Sequence, residues 1–173
     1  QAKKKEITEF KNFPEFLAAY QTKKQLPQVF IYASTDSFEF DLVTDVYRTD
    51  LTSNGEPLEI VVYVAESGDF EKLFSEMFNF SMFSSQKLLI IRSGADFFKA
   101  ILTAGKKEMY DSFRRNIPSL AEKVYVLLHY DAKDVPAKLS NLFENKYEHL
   151  KSRNFYADER RPALEGILKT EKV

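Results

Sequence analysis

The sequence predicts an α/β domain built on an open, mostly parallel sheet of about five strands, with helices on both faces. Short runs rich in β-branched residues, typical of buried strands, alternate with longer stretches whose apolar residues recur at helical spacing. This alternation is the pattern of βα units, which build a parallel sheet. The length of 173 residues fits one such domain with a tail.

In the first half of the chain, proline and capping residues mark the element boundaries. The opening helix stops before Leu26-Pro27, because a residue that precedes proline disfavours helical conformation. The stretch Ser34–Ser37 offers capping side chains to a second helix, and Asn54–Pro57 is typical of a turn. The predicted elements are a helix over 13–24, a strand over 29–33, a helix carrying Phe38, Leu42, Val43, Val46 and Tyr47, and a strand over 58–64.

In the second half, the spacing of large apolar residues separates helices from strands. A helix opening at Gly68-Asp69 keeps a stripe of Phe, Leu and Met at helical spacing as far as Phe78. Pro118 closes a long amphipathic helix, and Pro136 begins a short one. The predicted elements are a helix over 69–78, a strand over 87–92, a helix over 97–117, a strand over 124–130, a helix over 136–143 and a weaker fifth strand near 147–152.

The turn after the first strand is where an open parallel sheet usually binds a ligand. A phosphate-binding loop there needs the pattern G-x-x-x-x-G-K-[ST], whose glycines let backbone N–H groups wrap the phosphates. This chain has Ala33, Ser34, Thr35 and Asp36, with no glycine or lysine and with a carboxylate where a phosphate would sit. We therefore predict a degenerate nucleotide loop that does not bind nucleotide.

Other patterns of catalytic and metal-binding residues are missing from the sequence. The five glycines are too dispersed for a dinucleotide loop, no G-x-S-x-G motif occurs, and cysteine is absent. His129 and His149 have no third ligand at a recognisable spacing. We predict no catalytic residue, no metal site and no cofactor, while a Rossmann-like or P-loop-like enzyme domain with an unrecognised site stays open as an alternative.

Charge and composition bear on the partners and the location of the chain. The net charge of −1 and the pI of about 6.2 give no basic footprint, so DNA is expected to be contacted only indirectly or weakly. The absence of cysteine fits a reducing compartment, and the cytoplasm is predicted. The longest purely apolar run, Leu88–Ile91, is far shorter than the roughly 20 residues that span a bilayer, so no membrane partner is predicted.

A surplus of apolar residues follows the helix that ends at Phe78. That helix already has a complete apolar face, yet Phe80, Met82 and Phe83 follow it in a connection that should be short and polar. Exposed apolar clusters mark partner sites. These side chains either fold back into the core or form an interaction surface, and the residues alone leave both readings open.

The stretch Phe80–Ile91 (FSMFSSQKLLII) resembles a signature of the delta subunits of the bacterial DNA polymerase III clamp loader. Those proteins carry a small residue, a Leu or Met, a Phe, and small or polar residues just before the third strand. The order of elements is also similar, with an opening Phe13–Leu17 helix and a degenerate phosphate loop running into Asp36-Ser37-Phe38. Two positions depart from the commoner pattern, since Ala33 replaces a frequent glycine and Met82 replaces a frequent leucine.

The resemblance implies a non-catalytic domain, similar to those of P-loop NTPases of the AAA+ class, that binds the beta sliding clamp and opens the ring. In the family, the residues matching Met82 and Phe83 form a hydrophobic wedge that enters a pocket of the clamp. Phe80, Ser81 and Ser84 are the candidate supports of that wedge.

The same resemblance, which runs from about Phe10 to Leu168, gives an expected domain division. Residues 1–155 are expected to form the clamp-binding domain, and residues 156–173 to begin a helical linker to a next domain that this chain lacks. Other clamp-loader subunits would be bound through that absent C-terminal domain. An interaction scaffold whose partner is unrelated to replication is a further alternative.

Overall fold

The structure, a computed structural model, describes residues 8–23, 25–64, 70–79, 85–92, 94–102, 107–132, 135–143 and 150–152. These residues form a single six-stranded sheet flanked by helices. The strands are β1 (Thr8–Phe10), β2 (Val29–Ala33), β3 (Leu58–Val64), β4 (Gln86–Arg92), β5 (Val124–Tyr130) and β6 (Leu150–Ser152). The α-helices are α1 (Phe13–Lys23), α2 (Phe38–Ser53), α3 (Phe70–Phe78), α4 (Gly94–Leu102), α5 (Lys107–Asn116) and α6 (Ala137–Leu142), and a 3-10 helix, Ile117–Ser119, follows α5.

The strand order is β1-β6-β2-β5-β4-β3, and every neighbouring pair is parallel. The connections through α1 and α2 move across the sheet in one direction, and the three later connections move in the other. Accordingly, α1 and α2 pack on one face of the sheet, whereas α3 to α6 pack on the opposite face. Crossover connections of a single hand require this arrangement.

The strands at the centre of the sheet are covered on both faces, which explains their almost uninterrupted apolar sequences. All five residues of β2 are buried, and successive side chains point to opposite faces. Val29 and Ile31 join the core beneath α3 to α6, while Phe30 and Tyr32 join the core beneath α1 and α2. The Phe16 ring of α1 packs against Phe30 with 5.2 Å between ring centroids.

The predicted fold class is confirmed, with one strand more than expected. The added strand, β1, has only three residues, too few to give a periodic signal in the sequence. The single long helix predicted over 97–117 is wrong, because α4 and α5 are two helices that pack together. The sequence between them contains Gly105, a residue of low helix propensity.

Two further expectations concern the end of the chain and the membrane. The proposed linker, residues 156–173, lies outside the described residues. In the part of the chain that the structure describes, no helix combines the length and the apolar character needed to cross a membrane.

Candidate functional site

The predicted wedge residues, Met82 and Phe83, lie outside the described residues, as do their candidate supports Phe80, Ser81 and Ser84. The described residues nearest to them in sequence are Asn79, which follows α3, and Ser85, which precedes β4. The contacts of α3 and of the first residues of β4 therefore define how the chain enters and leaves this segment.

The apolar face of α3 is committed to the domain core. Leu73 and Met77 are buried against the sheet. The rings of Phe74 and Phe78 lie 4.7 Å apart by their centroids, and both contact the ring of Phe113 on α5. The part of the predicted helix stripe that runs from Leu73 to Phe78 thus packs within the domain.

Lys87 fastens the last turn of α3 to the sheet. Its Nζ lies 2.7 Å from Oε2 of Glu76 and 3.5 Å from the backbone oxygen of Asn79, and its side chain is buried. Asn79 is held further by its own amide, which donates a hydrogen bond of 2.8 Å to Oγ of Ser75. One buried ammonium group therefore holds the helix end from which the chain departs.

Gln86 fastens the other side of the segment to the opposite face of the sheet. Its buried amide nitrogen donates to the backbone oxygen of Leu51 at 2.5 Å and also reaches the oxygens of Asn54 and Glu56 at 3.3 Å. The side-chain oxygen accepts a hydrogen bond of 3.2 Å from the amide of Asn54. These bonds tie the start of β4 to the end of α2 and to the turn before β3.

Neither anchor was predicted from the sequence, although the sequence contains a signal for them. Gln86 and Lys87 are adjacent polar residues at the start of an otherwise apolar strand. Because side chains alternate along a strand, two such neighbours must point to opposite faces, where each needs a polar partner once it is buried. The partners lie in α2 and α3 and are distant in sequence, so the sequence does not identify them.

The second predicted site lies at the carboxyl ends of β2 and β5. These neighbouring strands send their connecting helices to opposite faces, which is the place where open α/β sheets bind ligands. We call it the switch crevice. It is formed by Ala33 at the end of β2, by Ser34, Thr35 and Asp36 after that strand, and by Asp131 after β5.

Two backbone N–H groups of this loop donate hydrogen bonds within the protein. The N–H of Ser34 donates to the oxygen of Tyr130 at 3.1 Å, and the N–H of Asp36 donates to Oγ of Ser34 at 3.0 Å. The Asp36 carboxylate accepts the N–H of Phe38 at 2.9 Å, at the start of α2. A phosphate-binding loop would direct such groups towards an anion. Here the Asp36 carboxylate accepts the hydrogen bond from the N–H of Phe38 at the start of α2.

Aromatic rings fill the space beside the loop. His129 stacks on Phe40 at 5.1 Å and lies 5.4 Å from Tyr32, measured between ring centroids. Nε2 of His129 donates to the backbone oxygen of Ser34 at 2.9 Å, so this buried histidine has a structural role. Burial is the main reason why the pKa of Tyr32 is raised above the ordinary tyrosine value.

A buried carboxylate and an arginine complete the surroundings of the switch crevice. Glu39 is 1% exposed and accepts hydrogen bonds from the backbone N–H of Phe13 and from the hydroxyl of Tyr32. Arg92 forms an ion pair of 3.1 Å with Asp41, and its guanidinium carbon lies 5.5 Å from the centre of the Phe40 ring. Each of these charged groups is thus used to join α2 to its neighbours.

The fold and the two sites define an α/β domain in which the loop after β2 forms hydrogen bonds with groups of the protein itself. Among the described residues, no three His, Asp or Glu side chains converge as metal ligands would. Compared with models of protein families and with curated proteins, the sequence matches none of them.

Proposed function

We propose that this chain is the clamp-binding domain of a delta-type subunit of the bacterial DNA polymerase III clamp loader. In this proposal it binds the beta sliding clamp and opens the ring during DNA replication. The observation that carries the proposal is the apolar surplus of Phe80, Met82 and Phe83, in a sequence that resembles the delta signature. Support comes from α3, whose described apolar residues between Leu73 and Phe78 pack within the domain core.

The proposed wedge consists of Met82 and Phe83. Burying such a pair in a groove of the clamp is worth roughly 1.5 to 3 kcal/mol for each side chain, before the costs of association. Moving a ring from one part open in a hundred to almost fully open needs about 5.5 kcal/mol of differential affinity. The two side chains supply that difference when the groove fits them better in the open ring than in the closed one.

The anchors at Lys87 and Gln86 favour a segment that is held at both ends. A binding segment whose ends are fixed loses less conformational entropy when it binds a partner. Glu76 and Asn79 hold the end of α3, and Leu51 accepts from the side chain that begins β4. We propose that these contacts hold the wedge segment at both ends and that the wedge residues themselves contact the clamp.

The proposal assigns no catalytic role to this chain. The internal hydrogen bonds of Ser34, Asp36 and Phe38 favour a nucleotide loop that has lost its ligand. ATP hydrolysis would then belong to other clamp-loader subunits. A cytoplasmic location and indirect or weak contact with DNA accompany this assignment.

Titration of a purified bacterial beta clamp with this chain tests the proposal. We expect saturable binding whose heat-capacity change is negative, because apolar surface is buried. A matched acidic α/β domain without the apolar segment serves as the control and should give no signal. Absence of binding at high micromolar concentrations of both proteins would refute the assignment.

A further inference from the structure

A groove of about 430 Å³ lies between α1 and α2. Its floor is apolar, because Leu17, Leu42 and Val46 line it, pack against the core beneath these helices and remain partly exposed. A volume of this size is typical of binding sites. We call it the α1–α2 groove.

The two helices that form the groove run in the same direction. The backbone N–H of Phe13, at the start of α1, donates to the carboxylate of Glu39, at the start of α2. The hydroxyl of Tyr20, in the last turn of α1, donates to the carboxylate of Asp50, near the end of α2. Both helices therefore finish at the same end of the groove, where their last carbonyl groups carry partial negative charge.

The groove follows the two helices along their length. The lining residues of α1 recur at helical spacing and are Phe13, Leu17, Tyr20 and Gln21. The lining of α2 extends from Leu42 to Ser53, a span of roughly 16 Å at about 1.5 Å per residue. A groove of this length between two parallel helices matches the apolar face of a third helix, whose side chains recur at the same spacing.

The charge of the groove is negative. Asp45 and Asp50 line it, and none of the described lining residues is basic. The basic residues of α1 and α2, Lys23 and Arg48, are exposed and lie outside the lining. Among residues 8–23 and 25–64, no cation pairs with Asp45. The groove therefore combines an apolar floor with two carboxylates, and its complement is an apolar surface that carries cations.

We propose that the α1–α2 groove binds an amphipathic helix of another protein, whose apolar face is flanked by lysine or arginine. The apolar side chains of that helix pack on Leu17, Leu42 and Val46. Its basic residues pair with Asp45 and Asp50, and the cation beside Asp50 also lies near the negative ends of α1 and α2. The proposal does not rest on clamp binding, because α1 and α2 lie on the face of the sheet opposite α3.

A second copy of this chain matches the groove less well than a separate partner does. Each described α-helix already buries apolar residues in one of the two cores, so these apolar faces are occupied. The net charge of −1 also gives the chain no excess of cations to place beside Asp45 and Asp50.

Fluorescence anisotropy of a labelled helical peptide, titrated with the full chain, tests the proposal. The probe is an end-capped, alanine-rich peptide of about 14 residues, with leucines at i, i+4 and i+7 and an arginine beyond each end of that stripe. We expect saturable binding. The same peptide with glutamate in place of both arginines should bind about tenfold more weakly, because attraction to the two carboxylates becomes repulsion.

A reversal of charge in the chain locates the binding site. Asp45→Lys should weaken binding of the arginine peptide by about tenfold and strengthen binding of the glutamate peptide. The matched control, Glu108→Lys, reverses an exposed charge on α5, at the opposite face of the sheet, and should leave both affinities unchanged.

Two results in the peptide titrations would overturn the proposal, namely absence of saturable binding and equal losses in Asp45→Lys and Glu108→Lys. Sedimentation equilibrium tests the other occupant. We expect the unmodified chain to be monomeric at the concentrations of the titration. A dimer that Asp45→Lys dissociates and Glu108→Lys does not would show that the groove binds a second copy, and would overturn the separate partner.

Discussion

Lys87 and Glu76 form an ion pair of 2.7 Å in which the two partners differ in burial. The Lys87 side chain is 3% exposed, and the Glu76 side chain is 29% exposed. When one partner of an ion pair is removed, the loss of stability depends on how well water can solvate the charge that remains. This pair joins the start of β4 to the last turns of α3, and so it ties the stability of the domain to the geometry of its proposed binding segment.

The unequal burial predicts unequal effects of the two single substitutions. Glu76→Ala should lower the free energy of unfolding by about 3 kcal/mol, because the ammonium of Lys87 is left buried with only a backbone oxygen as partner. Lys87→Met should cost only about 1 kcal/mol, since Glu76 reaches water and the methionine fills the space. Urea denaturation measures both values. Equal losses, or a larger loss for Lys87→Met, would contradict the structural description of this pair.

Substitution of Gln86 is predicted to destabilise the domain more than substitution of its neighbour Ser85. Gln86→Leu leaves the backbone oxygen of Leu51 and the side chain of Asn54 without their buried partner, and should cost about 2 to 4 kcal/mol. Ser85→Ala is the control, because Ser85 is more exposed and its hydroxyl makes a long contact of 3.4 Å with Pro57. It should change stability by less than about 0.5 kcal/mol. Thermal unfolding followed by circular dichroism distinguishes the two, and similar midpoints would contradict the anchoring role of Gln86.

The engaged loop after β2 predicts that ATP does not bind. Calorimetric titration of the chain with Mg-ATP should give only heats of dilution. Asp36→Ala should lower stability by about 1 kcal/mol through loss of the Phe38 cap, without creating ATP affinity, because the Ser34 N–H stays bonded to Tyr130. Micromolar affinity in either protein would show that the switch crevice accepts a nucleotide.

Buried tyrosines predict a loss of stability in alkali. Burial is the main reason why the pKa values of Tyr20, Tyr32, Tyr47, Tyr125 and Tyr130 are raised, and that of Tyr20 reaches about 12 with help from its hydrogen bond to Asp50. An unfolded tyrosine ionises near its ordinary value of 10.0. The part of the folding stability that depends on protonated tyrosine hydroxyl groups is therefore complete below pH 10. It is lost as the pH rises through the Tyr20 value of about 12.

The urea midpoint should therefore fall steadily above about pH 10, in step with tyrosinate absorbance. Tyr20→Phe should reduce this dependence, because one of the shifted groups is removed. A midpoint that stays constant between about pH 9.5 and 12 would contradict the burial of these hydroxyl groups.

The sequence predicts the fold of this chain well where hydrophobic periodicity is strong. The four longer strands, β2 to β5, and the helices beside them follow from their patterns, with β4 starting one residue earlier than expected. The strand β1 could not be predicted, because its pairing with β6 depends on two short segments distant in sequence. The break between α4 and α5 was also missed, since their apolar stripe continues through both helices.

The sequence likewise predicts some features of the two candidate sites and not others. The sequence predicts a degenerate loop at Ala33–Asp36, because the residues needed to hold a phosphate are absent from it, and the ATP titration tests this prediction. The stacking of His129 on Phe40 could not be predicted, since it requires β5 and α2 to meet. The anchors Lys87 and Gln86 are polar residues within a strand, and their partners become evident only once α2 and α3 are placed on opposite faces of the sheet.

The affinity of Met82→Ala/Phe83→Ala for the beta clamp, relative to that of the unmodified chain, shows whether these two side chains form the wedge. The proposed wedge predicts a loss of about a hundredfold to a thousandfold in the association constant, from the apolar contacts removed. The urea midpoint should stay near that of the unmodified chain. Undiminished clamp binding by the double variant, or unfolding of the variant because both side chains belong to the core, would contradict the account.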